Sequence, residues 1–504
     1  MRSKKALLNI VISMTYQIVV AICGLIVSRL ILVAFGSTYN GVVQSATQFL
    51  GMISILTLGI AGATRMELYK TLANADALGT SIIIKTTENY MRKIGVAVVF
   101  YALILSVIYP FISHNNLNKF ECAIIILIVG IGTFAEYFFG ITYRTLLMAD
   151  QREYIYSTFQ ILATILNAIC VFILIKIDQS IFSVKFWSAI VFAISPIVMS
   201  IYVRKNYTIE KNCEADVTAL KERKNVAFHS IANIVHQYTD IVLMTLFIDA
   251  KYISVYTVYT IATSKVRMLM TVFTTGLEAA FGNMWAKKEY EALKRNFSSY
   301  EYIISSFIVV VFSCLFVLIM PFIQLYTDGV NDVNYLNITF AVLMILSEMT
   351  YCMRQPYITL VQATGNYKAT KKAAGMEAAL NVFLSIVLIQ VMGISGVVVG
   401  TIVANLYRTG HYMVFIYKNI LNERRTRFLP KLIYIVLSIL MVLLIDNVVF
   451  NKYLLVTTWT QWIIKAIIAF GGSTFIAVAF SFLFLRGDLV ATISFAKRMI
   501  LRRR

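Results

Sequence analysis

Arg267 lies with Lys265 near the middle of residues 252–285, a stretch otherwise apolar and long enough to cross a bilayer. A cation at mid-depth in hydrocarbon costs about 2.5–3.5 kcal/mol even on the lenient insertion scale, so such residues normally face a wet cavity and act there. Counted in threes and fours from Arg267, the residues Thr260, Ser264, Thr271, Thr274, Thr275 and Glu278 share one helical face. Lys265 stands off that stripe by two steps of about 100° each, among Ile261, Met268 and Leu269. The stripe therefore assigns Arg267 to a cavity wall. An arginine paired with an acid from another helix, serving only packing, is the plain structural alternative.

Other apolar runs carry similar polar residues. His229, Asn233, His236, Gln237 and Asp240 share a face, and a histidine beside a carboxylate titrates between about pH 5 and 8, which suggests a proton- or cation-linked element. The two histidines sit about two turns apart, too far to share an ion easily, so no metal site is expected. Glu348, Tyr351, Gln355, Thr359 and Gln362 form another stripe, with Arg354 beside it and Pro356 breaking the helix ladder. Glu136 precedes Arg144 in an earlier run, Arg29 lies beside the face of Gln17, Gly24 and Ser28, and Arg408 falls mid-run. Arg144 and Arg354 equally suit side chains snorkelling toward the cytoplasm. The candidates for binding a substrate are thus Arg29, Arg267, Lys265, Arg354, Arg408, Gln17 and Thr271. Those for coupling a proton or sodium ion are Asp240, His236, His229, Glu136, Glu348 and Glu278. No phosphate-cradling GxxxxGK, HExxH or GxSxG pattern occurs, so no catalytic residue, enzyme activity or cofactor is expected.

The elements that hold these residues are membrane spans. The 504 residues are 59% apolar, and the mean hydropathy is +0.77, far above a soluble protein. A window near twenty residues yields about fourteen spans, which makes an all-α integral membrane protein. The net charge of +20 falls in short gaps between apolar runs, which points to anionic lipid headgroups and not to nucleic acid. Even-numbered loops hold most of the Lys and Arg, so the positive-inside rule places them and both termini in the cytoplasm. The basic start runs into an apolar stretch reaching Phe35, too long for a cleaved signal, so it should remain as the first span. Six cysteines without CxxC spacing indicate neither a disulfide framework nor a metal site.

The chain repeats internally. Ile108 to Ile112 (IYPFI) recurs as Ile319 to Ile323 (IMPFI), Thr145 to Ala149 as Thr359 to Ala363, and, more loosely, Tyr39 to Val42 as Tyr252 to Val255, all at offsets of 211 to 214. Two six-span lobes in tandem follow, residues 1–203 and 227–418, joined by a charged connector 204–226. Residues 419–485 add two spans, and 486–504 form a basic cytoplasmic tail. An even number of spans per lobe relates the lobes by an axis along the membrane normal, as in transporters that rock two halves about a central site. Gly396 and Gly400 make a GxxxG pattern, whose ordinary meaning is close helix packing.

Arg29 followed by Leu32 to Gly36 (LVAFG), then Tyr39 to Val42 (YNGV), Leu58 to Gly62 (LGIAG) running into Leu68 to Lys70, and Tyr143 to Gln151 (YRTLLMADQ) are together similar to Wzx-type flippases of the multidrug/oligosaccharidyl-lipid/polysaccharide (MOP) exporter superfamily. The resemblance spans nearly the whole chain. It implies translocation of an undecaprenyl-diphosphate-linked oligosaccharide from the inner to the outer leaflet of the bacterial cytoplasmic membrane, for capsule, exopolysaccharide or O-antigen synthesis. A polysaccharide polymerase and co-polymerase are then candidate partners. It also implies a cationic cavity, carried over here onto Arg29 and Arg267. A cation-coupled multidrug exporter of the same fold is the alternative within transport, and mid-span bases argue against a cationic drug. A membrane polysaccharide polymerase is the alternative among enzymes, and it is disfavoured because no loop is long enough for a catalytic domain.

Overall fold

A computed structural model describes residues 2–57, 59–210, 237–450 and 456–492, with the side chains of 2–7, 268, 271–273, 275, 276, 367, 368, 425, 449 and 450 left outside the description. Every described element is helical apart from one isolated bridge, His114 to Asp249. The helices pack as two compact units, Met1–Thr257 with Gly329–Val333, and Val258–Asp328 with Asn334–Arg504. The division falls inside a helix of the eighth span. The connector proposed from sequence, 204–226, lies from residue 211 onward outside the described residues.

In the first unit α1 runs Arg2–Gly51 and bends at Gly36, where φ is 81° and ψ 176°. At about 1.5 Å per residue its 50 residues reach well over the roughly 30 Å of a hydrocarbon core, so the bend divides it into two spans. Beyond the bend the helix restarts at Ser37 on a borrowed cap: its N–H donates to Asp332 Oδ2 at 2.6 Å and its hydroxyl to Oδ1 at 2.5 Å. A carboxylate there satisfies amides that have no intrahelical partner. Only glycine adopts the φ of Gly36 freely, and a Cβ on it would stand 3.0 Å from the same carboxylate. There follow α2 (Ile60–Ala73), α3 (Ala77–Ile112), α4 (Lys119–Ala135), a π-helical turn Glu136–Gly140, α5 (Ile141–Ala149), α6 (Glu153–Lys176), α7 (Ile181–Asn206) and α8 (residues 237–247). Asp76, Asn118 and Ser180 cap α3, α4 and α7, as residues of their type do where apolar runs begin. The core joins Val42, Ala46 and Leu50 of α1 to Leu105 and Tyr109 of α3 and to Ile125 and Ile126 of α4.

The next helix, α9 (Ala250–Ala286), begins in the first unit and continues in the second. The repeated segments YNGV and YISV meet there. Asn40 Nδ2 donates to Ser254 Oγ at 2.7 Å, and a Cβ on Gly41 would strike the Ala250 carbonyl oxygen at 1.8 Å.

The second unit contains the rest of α9, then α10 (Tyr290–Tyr326), α11 (Ile338–Met353), α12 (Gln355–Ala363), α13 (Tyr367–Met392), α14 (Ile394–Asn419), α15 (Leu429–Ile445) and α16 (Trp459–Phe484). Helices α3, α6 and α7 have counterparts in α10, α13 and α14 that begin 213 or 214 residues later, and Pro110 and Pro321 fall near the ends of α3 and α10. The α13–α14 pair closes on the GxxxG glycines: a Cβ on Gly396 would lie 2.2 Å from the Leu388 carbonyl oxygen, and one on Gly400 would lie 2.7 Å from Ser385 Oγ. Among the described residues nine helices are long and apolar enough to cross a membrane by length and composition. With α1 counted as two spans and with α8, α9, α11–α12 and α14 added, the helices accommodate the fourteen spans expected from sequence. This is a multi-pass membrane protein.

Candidate functional site

Five charged residues inside the apolar runs of the second unit, Arg267, Glu348, Arg354, Glu377 and Arg408, form one connected network. Pro356 supplies no N–H to the ladder, so α11 stops at Met353 and α12 starts at Gln355, which leaves Arg354 at the break. One turn before it stands Tyr351, and one turn before that Glu348, both of which meet Arg267 of α9. Arg267 of α9 grips Glu348 with two parallel bonds, Nε to Oε1 and Nη2 to Oε2, both 2.8 Å. Such fork-to-fork pairing is the strongest geometry open to an arginine and a carboxylate. The Tyr351 ring takes both neighbouring cations, its centroid 4.0 Å from Arg267 Cζ and 4.8 Å from Arg354 Cζ.

The network continues through Glu377 on α13. One of its oxygens accepts from Arg354 Nη1 and the other from Arg408 Nη1 of α14, and Arg408 Nη2 donates to the Tyr412 hydroxyl at 3.0 Å. The side chains of Arg354 and Glu377 are 3% and 4% exposed and that of Arg408 12%, whereas Arg267 keeps 41% of its surface open. Among the described residues three guanidinium groups thus share two carboxylates in these ion pairs, one positive charge more than negative. The Nε atoms of Arg354 and Arg408 are buried and have no hydrogen-bond partner among the described residues. Burying such a surplus is costly unless something uses it.

Of the substrate-binding candidates, Arg267, Arg354 and Arg408 are brought together, and Glu348, a coupling candidate, joins them as the partner of Arg267. The alternative of an arginine paired with an acid from another helix therefore describes Arg267 correctly, and its 41% exposure leaves it open to more than packing. Arg354 does not snorkel, because Glu377 holds it inside. Lys265 is half-buried with no carboxylate at ion-pair distance among the described residues, and Glu278 is exposed. The side chain of Thr271 lies outside the described residues.

The first unit places its candidates differently. Glu136 is half-buried and opens the π-helical turn, where Gly140 leaves room for it: a Cβ there would lie 2.8 Å from Glu136 Oε2. Arg144 is the cation acting on Glu136, and its Cζ lies 4.3 Å from the Tyr156 ring centroid. Tyr16 of α1 meets Tyr156 edge to face at 6.4 Å. Arg29 is half-buried and Gln17 exposed on α1. Asp240 is 8% exposed and accepts from the Tyr256 hydroxyl at 3.0 Å. His229 and His236 lie outside the described residues. Among the described residues no three His, Cys, Asp or Glu side chains gather as metal ligands would.

Three acids were not singled out from sequence: the buried Glu377; the buried Glu301, which accepts from Tyr357, Tyr417 and Lys431; and the half-buried Asp446, 3.4 Å from Lys465. A signal for them existed. Buried cations demand buried acids, and the acids first noted are fewer than the cations in the same runs.

The arrangement of helices is similar to that of several solved transporters, two of them described as members of the MOP superfamily. The lipid II flippase MurJ in an inward closed conformation superposes with a TM-score of 0.69 at 13% identity, over 95% of this chain and all of that one. An inward-facing multidrug resistance MATE family transporter of the MOP superfamily gives 0.59 at 15% identity, over 82% of this chain and 98% of that one. A MOP superfamily transporter from Pyrococcus furiosus, described as having a binding pocket of reverse polarity, gives 0.51 at 14% identity, over 84% of this chain and 95% of that one. At these identities the likeness is one of fold. No protein-family profile and no curated protein sequence matches the chain.

Proposed function

We propose that the protein flips an undecaprenyl-diphosphate-linked oligosaccharide from the inner to the outer leaflet of a bacterial cytoplasmic membrane, by alternating access, for surface polysaccharide synthesis. The observation that carries this reading is the surplus positive charge of the Arg267 network and the partial exposure of Arg267 at one end of it. A diphosphate headgroup needs compensation while it crosses hydrocarbon, and arginine offers a permanent charge with a planar fork of donors matched to phosphate oxygens. The sequence resemblance to Wzx-type flippases supports the same class.

The Glu348 pairing adds a coupling rule to this proposal. A phosphate oxygen that takes the Arg267 guanidinium replaces one anion by another, and the displaced Glu348, only 8% exposed, then needs a new counter-charge, which a small cation supplies. Substrate binding and cation uptake would be linked at one ion pair. Arg29 and Lys265 are assigned to the same anionic substrate by their charge.

A second reading, cation-coupled multidrug export, is favoured by one observation, the buried Asp240 carboxylate held by Tyr256. The two are separated in proteoliposomes: lipid-linked oligosaccharide flipping that Arg267→Ala abolishes at normal membrane abundance supports the flippase. Ethidium export with no flipping supports the exporter. Flipping unaffected by Arg267→Ala sinks the role given to the network.

A further inference from the structure

On the side of the second unit where α10 and α15 begin and α16 ends, an open cleft of about 620 Å³ lies apart from the Arg267 network. That size suits a small ligand or a headgroup. Its wall carries five cations, Lys294, Arg295, Arg427, Lys431 and Arg486. Three acids share the wall, and each is already engaged. Glu291 binds Lys294 at 3.0 Å, Glu423 binds Arg427, and Asp488 accepts from Ser298 at 2.6 Å and faces Lys431 at 4.0 Å. Arg295 and Arg486 are exposed and have no acid at ion-pair distance among the described residues.

The floor of the cleft is tied together by buried hydrogen bonds. Lys431 is 6% exposed and donates to the buried Glu301, to which the hydroxyls of Tyr357 on α12 and Tyr417 on α14 also donate. The rim is apolar on one side: Phe484 lines the cleft, and Leu483 and Leu429 beside it stand exposed. A free anion gains nothing from that rim, whereas acyl chains would cover it. The basic residues put this face on the cytoplasmic side by the positive-inside rule.

We propose that this cleft binds the phosphate of an anionic membrane phospholipid, with Arg295 and Arg486 as the headgroup cations and Phe484 and Leu483 under the acyl chains. Basic pockets at the cytoplasmic ends of spanning helices hold such headgroups elsewhere by the same chemistry. Lipid bound there braces the start of α15 against Glu301 and so against α12 and α14. The proposal uses none of the residues of the Arg267 network and stands independently of the transported substrate.

The test uses the full-length protein in neutral detergent, titrated with phosphatidylglycerol, phosphatidylcholine or inorganic phosphate. Retained lipid is counted by native mass spectrometry, and the thermal midpoint is followed in parallel. Phosphatidylglycerol is expected to be retained and to raise Tm, and phosphatidylcholine to do neither. Millimolar inorganic phosphate is expected not to displace the lipid; displacement assigns the cleft to a soluble anion and overturns the proposal. At about 1 kcal/mol per basic residue, the double variant Arg295→Gln/Arg486→Gln should bind phosphatidylglycerol about thirtyfold more weakly, and each single variant about fivefold. Both residues are exposed, so Tm without lipid should hold. Undiminished phosphatidylglycerol binding by the single and double variants overturns the proposal.

Discussion

The broken fourth span of each lobe, α4–α5 in the first unit and α11–α12 in the second, presents the same scaffold carrying different charge. Both begin at a capping asparagine, Asn118 or Asn337, both lose regular α-helical geometry midway, and both place a glutamate just before or at the irregularity, Glu136 or Glu348. In the first unit the carboxylate and Arg144 lie on one span and balance. In the second, Glu348 is matched by Arg267 from α9, and Arg354 at the break reaches Glu377 and through it Arg408, so the balance tips by one positive charge. A break recurs at the same place in both spans, and what it comes to do depends on which neighbouring helices bring charges to it.

The largest effect should come from removing the acid that two arginines share. Glu377→Gln leaves Arg354 and Arg408 buried against each other, and we expect a loss of about 3–5 kcal/mol in stability. It is read as a fall in membrane abundance and in the thermal midpoint in detergent. Glu136→Gln in the half-buried balanced site should cost clearly less. Equal losses would show that the two spans are electrostatically alike and would break the comparison.

Next comes Arg267→Ala, expected to cut lipid-linked oligosaccharide flipping about a hundredfold, the scale of losing one partner of a buried charge pair. Because Glu348 would then stand unpaired, the neutral pair Arg267→Ala/Glu348→Gln is the check: abundance should recover while flipping does not. Recovery of flipping in the double variant would reduce Arg267 to a packing residue. Arg267→Lys keeps the charge without the fork, so partial flipping points to simple electrostatics and near-complete loss to bidentate geometry. Lys265→Ala, off the polar stripe, should be milder than Arg267→Ala at equal abundance. The smallest effect is expected at Tyr256→Phe, which removes one hydrogen bond to Asp240 and should cost about 0.5–1.5 kcal/mol. A change in the pH profile of transport in that variant would mark Asp240 as a coupling site, and an unchanged profile in Asp240→Asn would discard that role.

Hydropathy made the spans legible because lipid leaves a helix no choice but to be apolar over its length, and the near-constant offset of the repeated segments made the pairing of α3, α6 and α7 with α10, α13 and α14 legible. The polar stripe around Arg267 and the pairing of Arg354 with the Pro356 break were also readable, since both are periodic within one helix. Glu377 was not, because it follows Lys371 and Lys372 closely and looks like the polar end of a span; only tertiary packing turns it inward between two arginines. The sequence ends the first apolar stretch at Phe35, where the structure shows α1 continuing through a bend. Its sequence, Phe35-Gly36-Ser37, carries half of the answer, and Asp332 carries the other half from far along the chain.

That distance has a consequence for how the protein is made. The cap on Ser37 comes from a residue 295 positions later, beyond α10, so a ribosome must synthesise most of the chain before that cap can form. Until then the amide of Ser37 has no partner from Asp332, and the Gly36 backbone is under no constraint from that loop. The cap at the bend of α1 is thus supplied by a late-arriving loop. Hydrogen exchange on arrested nascent chains should show it: fast exchange at Ser37 when synthesis stops before Gly329, and protection once Asp332 has emerged. Protection in the shorter chain would mean that α1 bends on its own.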